Sequence, residues 1–234
     1  VAELNALRAS FEPEGEDAWP IYRDIIVNDL GIESSLDEEP TELWLAINEI
    51  DDSKRYPSVL VHRWHDAAFD PHRAVLASAQ HVFEKLDHAA QLPRNGKEYV
   101  RRGSALEGER DPTAPAMGID IELPELNELR RLSRLSALRS RAAVANQDWE
   151  YFIKSIASTL ALAEHTGRAG RIIEETVALS MATLPIELLR YELVEQIIPP
   201  SACRSLEQSL AARVHPRAWL AATLEIEYLL SISD

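Results

Sequence analysis

Apolar side chains recur three and four residues apart along most of this chain, and that spacing predicts helices. Ile21, Tyr22, Ile25 and Ile26 define one over residues 18–30. Asp17 stands where an N-terminal cap is favoured, Pro20 fits the first turn, and Gly31 follows where helices commonly end. Leu43, Trp44 and Ile47 define a second helix over 41–50, broken by 51–57. Asp70-Pro71 marks a third start. Val75, Ala79, Val82, Phe83 and Leu86 predict one uninterrupted helix from there to about Ala90.

The stretch 92–120 interrupts the pattern with glycines, prolines and mixed charge. The pattern returns in longer units. Leu126, Leu129, Leu132, Leu135 and Leu138 recur every third residue in a helix opened by Pro124 and ending near Ala145. A three-residue step swings by about 60° on a helix, so these leucines meet different neighbours at the two ends. Arg130, Arg134 and Arg141 share roughly one face. Asn146-Gln147-Asp148 is a short connector, with Asn146 expected in the left-handed conformation and Asp148 capping the next helix. So short a link forces an antiparallel pair. Trp149, Phe152, Ile153, Ile156, Leu160 and Ala163 form the apolar side of that next helix.

After a turn at Gly167 and Gly170, a helix from about Arg171 carries Ile172, Ile173, Val177 and Leu184. Pro185 is expected to kink or split it. Pro199-Pro200 stops the run. Ser201 or Ser205 starts another helix, Ser205 and Gln208 having capping-box spacing. His215-Pro216 starts the last, with Trp219, Leu220, Leu224, Tyr228 and Leu229. The fold class is therefore all-α, built from antiparallel helical hairpins in TPR-like or α-solenoid-like packing. The expected layout is an acidic N-terminal helical region (1–91), a linker or long surface loop (92–120) and a C-terminal helical-hairpin domain (121–234).

Charge narrows the function classes. The 234 residues carry a formal net charge of −15. Residues 1–60 hold 15 acidic side chains against four basic ones, Arg8, Arg23, Lys54 and Arg55. Nucleic-acid binding needs clustered Lys and Arg, so no nucleic-acid partner is expected. Cys203 is the single cysteine, which excludes an intrachain disulfide. No apolar run reaches transmembrane length. The chain starts at Val1, and the expectation is that a segment upstream was removed, a signal or membrane anchor among the candidates.

The run Asn146-Gln147-Asp148-Trp149-Glu150-Tyr151-Phe152-Ile153-Lys154-Ser155-Ile156-Ala157 resembles the turn and second helix of a tetratricopeptide repeat. Gln147 replaces the usual glycine, Phe152 replaces the usual small residue, and no second copy follows at a period of about 34 residues. Glu16-Asp17-Ala18-Trp19-Pro20-Ile21-Tyr22, together with the Leu/Arg-rich helix and Asp-Trp turn of 126–164, resembles a group of helical proteins common in planctomycete bacteria. That resemblance implies a helical fold and an upstream membrane anchor, and carries no activity.

Candidate chemistry is sparse. Five of the seven histidines fall between His62 and His88: His62, His65, His72, His81 and His88. On a helix, His81, Glu84 and His88 share a face at i, i+3 and i+7, beside Asp87. Imidazole and carboxylate groups on one face can converge on a divalent metal, and 62–66 can add ligands. The spacing is not that of the zinc hydrolases, and no pair of Glu-x-x-His motifs signals a di-iron bundle. The adjacent acids Glu38-Glu39, Asp51-Asp52 and Glu174-Glu175 are expected by abundance in so acidic a chain, and acid–base work by them would need a pocket that shifts their pKa values. Arg94, Lys97, Arg101 and Arg102 beside Tyr99 read as a solvated basic loop, folded against the acidic N-terminal region. Five tryptophans, Trp19, Trp44, Trp64, Trp149 and Trp219, read as core. Nucleophile elbows and phosphate loops are absent from the sequence, so no catalytic residue and no cofactor is expected. The leading reading is a non-enzymatic helical scaffold that binds a protein partner, self-associates or serves as a subunit. The alternative is a metal-binding protein or enzyme centred on 62–88.

Overall fold

The computed structural model describes residues 2–31, 41–52, 70–97, 100–101, 121–123, 125–168, 170–194 and 198–211. The expected helix after Pro216, and His62, His65, Trp64, Tyr99, Arg102 and Pro124, lie outside them.

The described chain is predominantly helical. Helix α1 spans Ala2–Phe11. Helix α2, Trp19–Asp24, runs directly into a wider π turn, Ile25–Asp29. The N-cap is Ala18 rather than the expected Asp17, whose Oδ1 accepts the Trp19 N–H at 2.8 Å from one residue further out; Gly31 takes a left-handed φ of 68°, as the sequence predicts. The π turn has a local signature: Leu30 N donates to Ile25 O, five residues back, at 3.0 Å. That extra residue lets Ile25, Ile26 and Leu30 all enter the core. Helix α3 is Glu42–Asp52.

The single helix expected from Asp70 is two, α4 (Asp70–Ser78) and α5 (Gln80–Ala89). Ala79 between them leaves helical geometry at φ −87° and ψ 7°. Backbone hydrogen bonds to and from Ala79 continue across the joint, so the break does not separate the two halves. No proline or glycine signals it. At the edges of the interrupting stretch, Val100–Arg101 and Ile121–Glu122 form a two-residue antiparallel ladder, Val100 opposite Glu122.

The longest helices follow: α6 (Leu126–Ala145), α7 (Trp149–Gly167), α8 (Ile172–Val194) and α9 (Pro200–Ala211). Helices α6, α7 and α8 pack mutually, and α9 lies on α7. Asp148 caps α7, its side chain accepting the Tyr151 N–H at 3.0 Å. The left-handed residue of that connector is Gln147, φ 57°, not Asn146, which sits at φ −88°. Pro185 does not split α8, which is helical on both sides of it. Its ring is buried, and packing on both flanks outweighs the one backbone donor it withholds from Met181 O. Helix α9 begins at Pro200, and Ser205 is interior, its hydroxyl turned back to Ser201 O at 3.4 Å. The capping-box reading at Ser205 is corrected accordingly.

Apolar packing runs across the interrupting stretch. One cluster joins Tyr22, Ile25, Leu30, Val82, Phe83 and Leu86 to Leu132, Leu135, Leu138 and Leu162. A second, smaller cluster gathers Phe152, Ile156, Leu188, Leu189, Ile198 and Leu206 where α7, α8 and α9 meet.

Charge and hydroxyl groups thread this interior. Arg139, 1 % exposed, forms a two-pronged bond with Asp87, both N···O distances 2.9 Å. Its guanidinium lies 4.9 Å from the Phe83 ring centre and 4.3 Å from that of Tyr151. Ser158 and Lys154 also donate to Asp87, at 2.7 and 2.9 Å. Between α6 and α7, Ser136, Ser140, Ser155 and Thr159 bond to one another and to nearby carbonyls. These small side chains let the helices approach while every hydroxyl finds a partner.

Burial by itself would raise the Asp87 pKa. The Arg139 bonds, with Ser158 and Lys154, outweigh it and hold the carboxyl below its usual value of 3.8. A depressed folded pKa means the stabilisation is complete above pH about 4 and is lost as acid passes through the lowered value. Replacing Arg139 by Met leaves the Asp87 charge with Lys154 and Ser158 alone and is expected to cost about 3 kcal/mol in urea unfolding at pH 7. The Arg139→Met/Asp87→Leu double variant is expected to recover part of that loss.

Candidate functional site

The residues nominated from sequence are placed as follows. His81, Glu84 and His88 are all on α5, and all three are exposed. His81 Nε2 lies 3.4 Å from Asp29 Oδ1, but Lys85 already holds Asp29 at 2.7 Å and Asp24 at 2.6 Å. Asp87 points the other way, into the Arg139 fork. Among the described residues, no three His, Cys, Asp or Glu side chains come together as a metal would require. Cys203 is half-buried, its thiol 3.9 Å from Ile198 O. Trp19, Trp44 and Trp149 are half-buried at the edge of the packing.

Of these acid pairs and the basic loop, Glu174, Glu175 and Lys97 are buried; Glu38-Glu39 and the side chains of Asp51, Asp52 and Arg101 lie outside the described residues. Glu174 is 1 % exposed and Lys97 is buried beside it, with Lys97 Nζ 2.8 Å from Glu174 Oε1. Lys97 also pairs with Glu125, Arg8 reaches Glu174 at 3.5 Å, and the Arg171 N–H donates to Glu174 Oε2 at 2.7 Å. The Arg94 main chain does meet the acidic N-terminal region: its carbonyl accepts Ala18 N–H at 2.9 Å. Behind this knot sits His165, 2 % exposed. Leu92 O can only accept, so His165 Nε2 carries the proton and donates to it at 3.1 Å. Nδ1 then accepts from the Tyr22 hydroxyl at 2.8 Å. This histidine is held as a fixed strut on α7, a residue that the sequence reading did not single out.

Two buried acids stand apart. Burial raises the Glu12 pKa above 4.5, against the opposing pull of the Asn95 N–H and of Arg8, Arg168 and Arg94. Burial alone raises that of Glu175. Glu175 Oε2 has no hydrogen-bond partner, and the carboxyl rests over Gly167, where a Cβ would stand 2.6 Å from it.

The opposite side of α8 is built differently. Ile172, Leu179, Ile186 and Leu193 recur every seventh residue and are 49–59 % exposed. The stripe is about 32 Å long at 1.5 Å per residue. Thr176, Thr183 and Arg190 lie between its members, also exposed. A seven-residue repeat drifts only about 20° per step on a straight helix, so the stripe keeps one heading. Along its edge a groove of about 310 Å³ opens between α6 and α8, lined by Arg130, Ser133, Arg134, Ser180, Met181, Thr183, Leu184 and Glu187. The common face of Arg130, Arg134 and Arg141 read from sequence is the one turned to α8: two line the groove, and Arg141 pairs with buried Glu192.

The chain matches no family model, no curated protein and no solved structure. Among the described residues, no helix is long and apolar enough to cross a membrane.

The Glu175 carboxyl gives a testable sign. Its folded pKa exceeds the unfolded one, so the folded state binds its proton more tightly and stability falls as pH rises through the range above 4.5. Glu175→Gln removes the buried charge. The variant is expected to match the parent at pH 4 and to exceed it by about 1 kcal/mol at pH 7 in urea unfolding. An equal effect at both pH values would mean the charge is not the cause.

Proposed function

We propose that this protein is a non-enzymatic helical interaction module that docks a partner helix along α8. The observation that carries the reading is the exposed stripe Ile172, Leu179, Ile186 and Leu193. A helix apolar on two sides has one face for its own core and one in excess. Here Ala178, Met181, Leu188 and Leu189 serve the core, so the stripe is surplus to folding. Seven-residue spacing favours a helix as the occupant, because that is the period at which one helix meets another along its length. The antiparallel pairing of α6 and α7 through a three-residue connector supports a hairpin-stacking, tetratricopeptide-like scaffold. The interior polar groups support a structural role for themselves: among the described residues the main ones are paired with one another.

The experiment is affinity capture from the native source with the parent chain and a Leu179→Asp/Ile186→Asp variant, compared by quantitative mass spectrometry. Both positions are exposed, so the variant is expected to keep its circular dichroism and melting profile. A specific partner should be retained by the parent and weakened at least about tenfold by the variant. Sedimentation of the two proteins tests self-association in the same way. A partner set and sedimentation profile unchanged by the variant would remove α8 as the docking face.

A further inference from the structure

We infer that the helix docked on α8 is the α8 of a second copy of this chain, lying antiparallel about a two-fold axis near Thr183. The inference rests on the reading of α8 as a docking face and names its occupant.

The exposed face of α8 forms a complete seam. Thr176, Thr183 and Arg190 stand between the members of the apolar stripe, so exposed positions follow one another at alternating steps of four and three residues. That alternation is the spacing at which two helices mesh side chains along their length. Ile173 and Tyr191, 50 and 38 % exposed, flank the seam. A helix of matching length and spacing is what the seam accepts, and α8 itself, 23 residues long, is one. It arrives already folded, whereas an unstructured peptide must first be ordered. Six half-exposed apolar side chains at roughly 90 Å² each, with the threonines and Arg190 between them, offer about 700 Å² per copy, against the roughly 800 Å² that each partner gives a standard interface. A face of that size supports a reversible dimer.

Charge selects both the occupant and its direction. Two chains of net charge −15 repel, so a second copy approaches best through a neutral face. The seam is such a face. Between Ile172 and Leu193, Glu174, Glu175 and Glu192 are buried, and the charges that reach water, Glu187 and Arg190, pair with each other at 3.3 and 3.4 Å. A basic partner drawn by the acidic chain finds only an already paired carboxylate along this seam. Laid parallel, two copies would set Arg190 against Arg190. Laid antiparallel about an axis between Ala182 and Thr183, the two arginines stand about 22 Å apart along the helices, beyond the screening length of about 8 Å in physiological salt. The same axis sets Leu179 against Ile186 of the second copy and Ile172 against its Leu193, because both pairs are centred on that point. Ser180, Ala182 and Thr183 are small and lie at the axis, where the two helices come closest.

Sedimentation equilibrium of the purified chain, from about 1 to about 200 µM, tests the occupant. A monomer–dimer equilibrium with Kd about 10 µM, within about tenfold either way, is expected. Leu179→Asp/Ile186→Asp should weaken it at least about tenfold without lowering the melting temperature of the dilute protein. Added sodium chloride should hold or tighten the dimer, because it screens the repulsion between two acidic chains. Direction is read by disulfide formation under mild oxidation in a Cys203→Ser background, which removes the single native cysteine. Thr183→Cys, beside the axis, should cross-link to itself, and Ile172→Cys, about 32 Å from its counterpart, should not. A chain that stays monomeric at the highest concentration, or a dimer untouched by the double variant, overturns the inference. If partner capture then still depends on Leu179 and Ile186, the docking face stands with a different protein on it. A monomer whose double variant melts several degrees lower would mean that the chain itself covers the stripe, and both readings would fall. Self-cross-linking of Ile172→Cys would overturn the antiparallel pairing.

Discussion

A guanidinium buried to 1 % exposure in the middle of a leucine-rich helix has few stable surroundings, and the arrangement around Arg139 is one of them. Asp87 meets it with both oxygens, Phe83 and Tyr151 flank it, and Ser158 and Lys154 complete the carboxylate. Such a pair adds little stability over a well-packed apolar substitute, because both ions leave water. What it adds is direction. Leucine contacts tolerate sliding, whereas a two-pronged bond fits one register. The fork therefore fixes how α5 seats against α6 and α7, and through the shared apolar cluster how residues 17–30 and 70–90 sit on the long helices.

The same logic repeats around it. Glu174 collects Lys97, Arg8 and a backbone N–H, Glu192 takes Arg141, and Glu128 joins Trp44 and Arg131. His165 ties α2 to the segment after α5, through Tyr22 on one nitrogen and Leu92 O on the other. These contacts close the interior and leave it little freedom for chemistry. The outer side of α8 and the adjoining groove have the opposite character. There, apolar surface stays in water. The proposed docking face on α8 rests on that exposed apolar surface.

Much of the helical layout was legible because its causes are local. Asp148 caps by reaching three residues ahead, Gly31 relieves a left-handed turn, and the leucine period of α6 follows from 3.6 residues per turn. The shared face of Arg130, Arg134 and Arg141 was legible for the same reason. Less local matters were not. Ala79 breaks a helix without a breaker residue, Gln147 rather than Asn146 takes the positive φ, and Pro185 rides inside a helix that its neighbours hold together. Lys97 and Glu174 looked like solvent-facing residues because surface composition was all that could be weighed.

The sequence by itself determined that this chain is helical, where most of its helices begin and end, and which side chains share a face. Each of those follows from interactions within one or two turns. The tertiary structure decided which charges are buried and with whom. The pairs Arg139–Asp87, Lys97–Glu174 and Tyr22–His165 span 52, 77 and 143 residues, and only packing brings them within reach. It also decided which side of α8 is left over. A helix apolar on two sides carries no mark in its own sequence of the face its neighbours will cover, so the stripe and the groove beside it exist only once α6 and α7 have chosen the other side.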